Sequence, residues 1–329
     1  MRSVRAVLLV TFSCAAAPAV PASTATDPAA LMRLAGSVLR VEAPDVRGAL
    51  AVGSAVTVAS ERVVTNCHVT RDARVIYVVR GALRWEAQTQ VSDVEHDLCL
   101  LHVPGLVSPP VALGSSMQLD VGQQVAALGF TGGVNMQRSL GDVRELHRHD
   151  GARVIQSSSG FSSGASGGGL FDRRGALVGV LTFRLRGGRG HWFAAPVEWV
   201  RQMLDESQRL QTAPVQSPLA GRSPYWELPA PLQPRFLRAA VMQRDQAWAD
   251  LVALCREWLD SDADDPEPWH LLGLALEQLD RLADARVALE CALSLAPTHS
   301  TLRSQVLALR ERTPAGRAPE PTACRIERR

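Results

Sequence analysis

Lysine is absent from this 329-residue chain: all 35 of its basic residues are arginine. Any reaction that needs a lysine nucleophile or Schiff base is therefore excluded. Excess charge of one sign is missing as well, because 35 basic residues face 33 acidic ones and leave a net charge of +2. That balance argues for neither nucleic acid nor an acidic membrane surface as a partner. No apolar run reaches the roughly 20 residues that a membrane helix requires, and no CxxC or Cys/His spacing of a zinc site occurs. What is present is globular in character: 46% apolar and 21% charged residues, in a length that predicts about two domains.

Arg2 and Arg5 precede apolar residues 6–10 and 12–19, followed by small residues and Val20-Pro21-Ala22. That order predicts a secretory signal peptide over residues 1–22 and export to the periplasm or the medium. The apolar run is about 14 residues long and broken by Pro18, too short for a stable membrane span. Export permits disulfides, yet the five later cysteines, Cys67, Cys99, Cys255, Cys291 and Cys324, are odd in number and widely spaced. Isolated buried thiols are the expected state, and a bridge between Cys67 and Cys99 is left open.

Two composition regimes follow. Over residues 35–210, short Val-rich runs at 49–58, 62–65, 75–79, 98–103, 124–129, 153–157 and 176–183 are separated by turn residues, which predicts an antiparallel all-β domain. It closes with a helix over 196–210 that has Pro196 in its first turn. Residues 211–234 are rich in Pro, Ser and Gln and lose periodicity, so they are expected to be a linker. Residues 235–312 are helical in period. Trp269, Leu272, Gly273, Leu276, Ala285, Leu289, Ala292 and Pro297 fall on the spacing of a tetratricopeptide repeat, with a weaker copy about 34 residues earlier. Small Gly273, Ala285 and Ala292 let neighbouring helices approach, and a helix over 301–312 is expected to cap the stack. Such a small all-α domain is expected to recruit a protein partner or substrate. The tail, 313–329, is expected to be disordered.

Three segments carry chemistry. Val63-Val64-Thr65-Asn66-Cys67-His68-Val69 delivers a histidine at the end of an apolar strand, and Asp97-Leu98-Cys99-Leu100-Leu101 leads an aspartate into another. Gly164-Ala165-Ser166-Gly167-Gly168-Gly169 packs glycines around one serine ahead of a further strand. Glycines are entropically costly, and a tight loop that turns backbone N–H groups into one small cavity accounts for them better than a flexible linker does. Asp93 rivals Asp97 but lacks the Leu-x-Leu-Leu strand after it. His96, His102, His147, His149, His270 and His299 have no matching context and are read as surface or packing residues.

Taken in order, Gly53-Ser54-Ala55, the histidine segment, the aspartate segment, Ala126-Ala127-Leu128-Gly129-Phe130, the serine loop and Phe193-Ala194-Ala195-Pro196-Val197 resemble the trypsin-like (chymotrypsin-fold) serine proteases of the bacterial high-temperature-requirement (HtrA) type. The resemblance runs over roughly residues 35–203. It implies a double β-barrel for this domain, ahead of the helical repeats. His68 would be general base, Asp97 its orienting carboxylate and Ser166 the nucleophile, with an oxyanion hole made by the N–H groups of Gly164 and Ser166. It also implies no metal and no cofactor, and a substrate pocket at Gly160, Phe161, Thr182 and Arg184, with His191 close by. Ala165 departs from the acidic residue of zymogen-activated relatives, and no PDZ domain follows. The expected activity is that of an exported serine endopeptidase acting on proteins or peptides. The alternative is an inactive adaptor that binds peptides by strand addition, and an esterase with the same triad is a smaller third reading.

Overall fold

The computed structural model describes residues 34–185, 191–207, 213–215, 222–313 and 324. The signal-peptide reading of residues 1–22 and nearly all of the tail lie outside the described residues. No helix among those described is long and apolar enough to cross a membrane.

Fourteen strands and seven α-helices are described. The first half holds β1 (Val38–Pro44), β2 (Leu50–Ala59), β3 (Arg62–Asn66), the one-turn helix α1 (Cys67–Thr70), β4 (Tyr77–Arg80), β5 (Leu83–Glu86), β6 (Thr89–Asp93) and β7 (Leu98–His102). Joined by β14 (Ala213–Pro214), these strands form an antiparallel sheet in the order β14-β6-β7-β3-β2-β1-β4-β5. β5 runs on into β6 through a corner, where the Ala87 N–H donates to the Ile76 carbonyl and the Gln88 N–H to that of His102. The chain thus changes partner strand at the corner, and among the described residues no ladder joins the end strands β5 and β14, where the resemblance implied a closed barrel.

The second half does close. β8 (Gln124–Gly129), β9 (Gln137–His149), β10 (Ala152–Ser157), β11 (Gly169–Phe171), β12 (Leu177–Arg184) and β13 (Trp192–Pro196) form a barrel in the order β10-β13-β12-β11-β8-β9. β9 has no apolar run to announce it. Its thirteen residues are mostly polar and are held by ladders to β8 and β10.

Successive strand residues face opposite sides, and here both sides are buried. In the β3–β7 ladder Val63 pairs Leu101 and Val64 pairs Leu100. Val63 and Leu101 enter the core of the first sheet, whereas Val64 and Leu100 join a second cluster that continues into the helical region. Two buried faces are why these strands read as unbroken apolar runs.

After β13 come α2 (Val197–Ser207) and then α3 (Arg235–Arg244), α4 (Trp248–Ser261), α5 (Pro266–Gln278), α6 (Leu282–Leu295) and α7 (Ser300–Arg312). A Cβ at Gly273 would lie 2.5 Å from Leu289 Cδ2, so glycine at this position lets α5 and α6 pack closely.

The helices dock on the barrel through buried polar contacts. His147 of β9 is 3% exposed, hydrogen-bonds Glu267 of α5 at 2.6 Å and Gln156 at 3.0 Å, and stacks on Phe236 of α3. Burial alone would push its pKa down, but the Glu267 carboxylate outweighs that and holds it above the usual histidine value.

Two expectations require correction. Cys67 is bridged to Cys99 and Cys291 to Cys324, and among the described residues Cys255 alone is a free, buried thiol. Strand pairing and helix packing bring the partners to Cα separations of 5.0 and 5.4 Å, a proximity that spacing along the chain cannot reveal. The second bridge also ties Cys324, in the segment expected to be disordered, to α6. The stretch read as a linker is no plain spacer either: Tyr225 is 3% exposed, and residues 213–214 pair with β6. Burial of aromatic area holds the segment down despite its composition.

Candidate active site

The β3–β7 register sets Asn66 opposite Leu98, which brings the ends of two distant segments together. Asp97 turns there with φ +59°. Its carbonyl is held by the Asn66 side-chain amide at 2.9 Å and by the Cys67 N–H at 3.2 Å. The bridge between Cys67 and Cys99 ties down the residues on either side.

Asp97 is 1% exposed, and both its oxygens are used on one residue. Oδ1 accepts the His68 backbone N–H at 2.8 Å and Oδ2 faces the His68 ring Nδ1 at 2.5 Å. An ionised carboxylate only accepts, so the Nδ1 proton points inward and Nε2 offers its lone pair outward. His68 lies in the first turn of α1, not at the strand end itself. Asp93 serves a different histidine, with Oδ2 against His96 Nδ1 at 2.6 Å.

Ser166 sits in a loop whose carbonyls are each tied down. The Ser163 carbonyl accepts from the Gly132 N–H at 2.7 Å. The Gly164 carbonyl accepts from Ser54 Oγ at 2.8 Å, and the Ala165 carbonyl from the Gly168 N–H at 2.9 Å. In a trans peptide the N–H points opposite to the C=O. Anchoring the carbonyls of Ser163 and Ala165 therefore turns the N–H groups of Gly164 and Ser166 the other way. Among the described residues neither N–H donates to a protein acceptor.

Gly164 adopts φ +91°, and a Cβ there would lie 2.4 Å from the Phe130 carbonyl oxygen. At Gly167, with φ +85°, it would lie 2.1 Å from that of Ser54. Only glycine fits either position.

Ser166 and His68 line one open cleft together with Phe161, Thr182, Arg184 and Trp226. The Ser166 hydroxyl donates to the Thr182 carbonyl at 3.4 Å. Thr182 offers the cleft that carbonyl and not its side chain, since its Oγ1 donates inward to the Val180 carbonyl at 2.8 Å. Gly160 lies against the Trp192 indole and lines a smaller adjoining recess with Phe161 and Ala165. His191 is engaged elsewhere, accepting from the Gln156 amide at 3.3 Å.

Sequence reasoning missed two residues of the site. Ser54 is fully buried and clamps the serine loop. Its hydroxyl also accepts from the Phe130 N–H at 2.8 Å, and its own N–H donates to the Ser166 carbonyl at 2.8 Å. Trp226, from the presumed linker, stands edge-on to the His68 ring at 5.8 Å between centroids. The adjacent aromatics Tyr225-Trp226 within a Pro/Ser-rich stretch were the available signal.

Elsewhere, Glu145, His270 and His299 hold potential ligand atoms within 4.8 Å of one another. His299 Nδ1 accepts the Leu302 N–H at 3.1 Å as the cap of α7. That bond places the ring proton on Nε2, so the neutral imidazole has no second lone pair to give a metal while it caps.

Residues 53–180 match the family model described as "Trypsin-like peptidase domain". A probable periplasmic serine endoprotease DegP-like from Ectopseudomonas mendocina is 34% identical over 170 residues, 49% of this chain and 36% of that protein. The chain spans about a third of the length of the curated relatives it matches. Among solved structures, the HtrA-type protease AlgW with tripeptide is 29% identical at a TM-score of 0.50, covering 54% of this chain and 62% of that one. The active form of the Rv3671c protease from M. tuberculosis shares the fold at a TM-score of 0.52 and 22% identity, covering 66% and 96%. The chain thus carries a trypsin-like peptidase domain with a trypsin-like β-barrel fold, followed by a helical region.

Proposed function

We propose that the protein is an exported serine endopeptidase that cleaves protein or peptide substrates. The observation that supports this most is the oriented pair of Asp97 and His68, facing the same cleft as Ser166 with two undonated N–H groups beside it. Rotation of the Ser166 side chain away from the Thr182 carbonyl turns its Oγ toward His68 Nε2. The imidazole takes the hydroxyl proton as Oγ attacks the scissile carbonyl, and Asp97 stabilises the imidazolium.

The tetrahedral oxyanion rests on the N–H groups of Gly164 and Ser166, each such donor contributing about 3 kcal/mol to the barrier reduction. His68 then gives its proton to the leaving amine, and water resolves the acyl-enzyme by the same steps. Gly160, Phe161, the Thr182 carbonyl and Arg184 bound the substrate pocket. Among the described residues no aspartate or glutamate lines the cleft or the adjoining recess, which favours small or medium apolar side chains.

The helical region fits tetratricopeptide-type packing at Gly273, and we assign it the recruitment of a protein partner or substrate. The periplasmic relatives and the N-terminal residue order support a periplasmic or secreted location. A fluorophosphonate probe is expected to label the wild type but not Ser166→Ala, and only the wild type is expected to degrade casein. Absence of wild-type labelling would favour the peptide-binding adaptor instead.

A further inference from the structure

The cleft has a wall that comes from outside both the first sheet and the barrel. Residues 224–228 run past the β6–β7 turn and the end of α1 on their way to α3 and are pinned on both sides of Trp226. The Tyr225 N–H donates to the Glu95 carbonyl at 3.0 Å, Glu227 pairs with Arg71 at 3.1 Å, and the Gln233 side-chain amide donates to the Trp226 carbonyl at 3.1 Å. The indole stands edge-on to His68 and stacks on Phe183, with centroids 5.1 Å apart and planes 14° apart. It therefore fills the space between the imidazole and β12.

That space is where a substrate side chain has to go. The β11–β12 ladder ends at the Gly169 and Val180 pair, whereas β13 stays paired out to Arg184. Among the described residues, one edge of 182–184 is thus open beside Ser166, and an extended peptide can add to it as a strand. Side chains of an extended peptide alternate between faces. If the residue being cleaved places its side chain in the recess beside Phe161, the preceding residue points the other way, at His68 and Trp226.

We propose that Trp226 determines specificity for the residue immediately preceding the cleaved one, admitting Gly, Ala or Ser and excluding branched or aromatic side chains. This inference rests on the protease reading above. It makes the segment that leads to the helical region part of the substrate site.

The test uses full-length protein and fluorogenic peptides that differ only at that position, Ala against Leu and Phe, with active enzyme counted by fluorophosphonate labelling. In the wild type, kcat/KM for Ala over Leu is expected to be at least about 10, the scale on which a pocket rejects added methylenes. In Trp226→Ala the ratio is expected to fall to within about twofold of unity. Glu227→Gln, which keeps the indole but loosens the Arg71 anchor that positions it, is expected to give an intermediate ratio. The same ratio in wild type and both variants, with labelling intact, overturns the role of Trp226. If the wild type neither labels nor cleaves, the protease reading fails first and this inference falls with it.

Discussion

Replacing Ser54 by alanine removes one hydroxyl that no solvent reaches and that two backbone groups share. The Phe130 N–H would lose its acceptor and the Gly164 carbonyl its donor, both at 2.8 Å in the native protein. An unpaired buried backbone group costs about 1–3 kcal/mol. Two of them, partly relieved by relaxation, predict a loss of roughly 2–4 kcal/mol, or a fall in melting temperature of roughly 5–15 °C for a domain of this size. The loss is concentrated at the loop that turns the Gly164 N–H into the cleft. The rate of fluorophosphonate labelling, measured well below the new melting point, is therefore expected to drop by about 10-fold or more, toward the value for a lost oxyanion donor. Circular dichroism melts and labelling time courses give the two readouts. A melting temperature within about 1 °C of wild type together with a labelling rate within about twofold would refute the claim that this hydroxyl holds the loop.

The bridge between Cys67 and Cys99 closes a loop with a sequence separation of 32 that contains both His68 and Asp97. On the chain-entropy estimate it contributes about 4 kcal/mol, so the double variant Cys67→Ala/Cys99→Ala is expected to melt roughly 8–15 °C lower; an unchanged melt would mean the bridge does not form. At the docking face, Glu267 holds His147 above its usual pKa, with burial opposing. A raised histidine stabilises fully below its unfolded value, about 6.5, and that stability is lost as pH rises through the folded value. The stability advantage of wild type over His147→Gln is therefore expected to be largest at about pH 6 and to shrink as pH rises above it, followed by denaturant unfolding; parallel curves would reject the ion pair.

Much of the fold was legible because its signals are local. The runs at 49–58, 62–65, 98–103, 124–129, 153–157 and 176–183 became β2, β3, β7, β8, β10 and β12, since strands buried on both faces need uninterrupted apolar residues. β9 was not legible, because neighbouring ladders hold it and its own composition does not. His68, Asp97 and Ser166 stood out by their flanking residues; His68 and Ser166 line one cleft, and Asp97 is buried behind the His68 ring. Ser54 stood out only as a turn residue. Its clamp joins positions 110 residues apart, a relation that no local pattern encodes.

By itself, then, the sequence determined the chemistry available and the order of its delivery: an imidazole, a carboxylate and a hydroxyl, the last on a glycine-permitted turn, with lysine chemistry closed off. Tertiary structure alone decided which cysteines meet, which way the loop carbonyls are tied, and that a tryptophan from a proline-rich stretch stands beside the imidazole. Backbone preference and apolar periodicity act over a few residues and are written in neighbours. Hydrogen-bond anchoring, disulfide proximity and aromatic packing act through space, between residues that only the folded chain brings together.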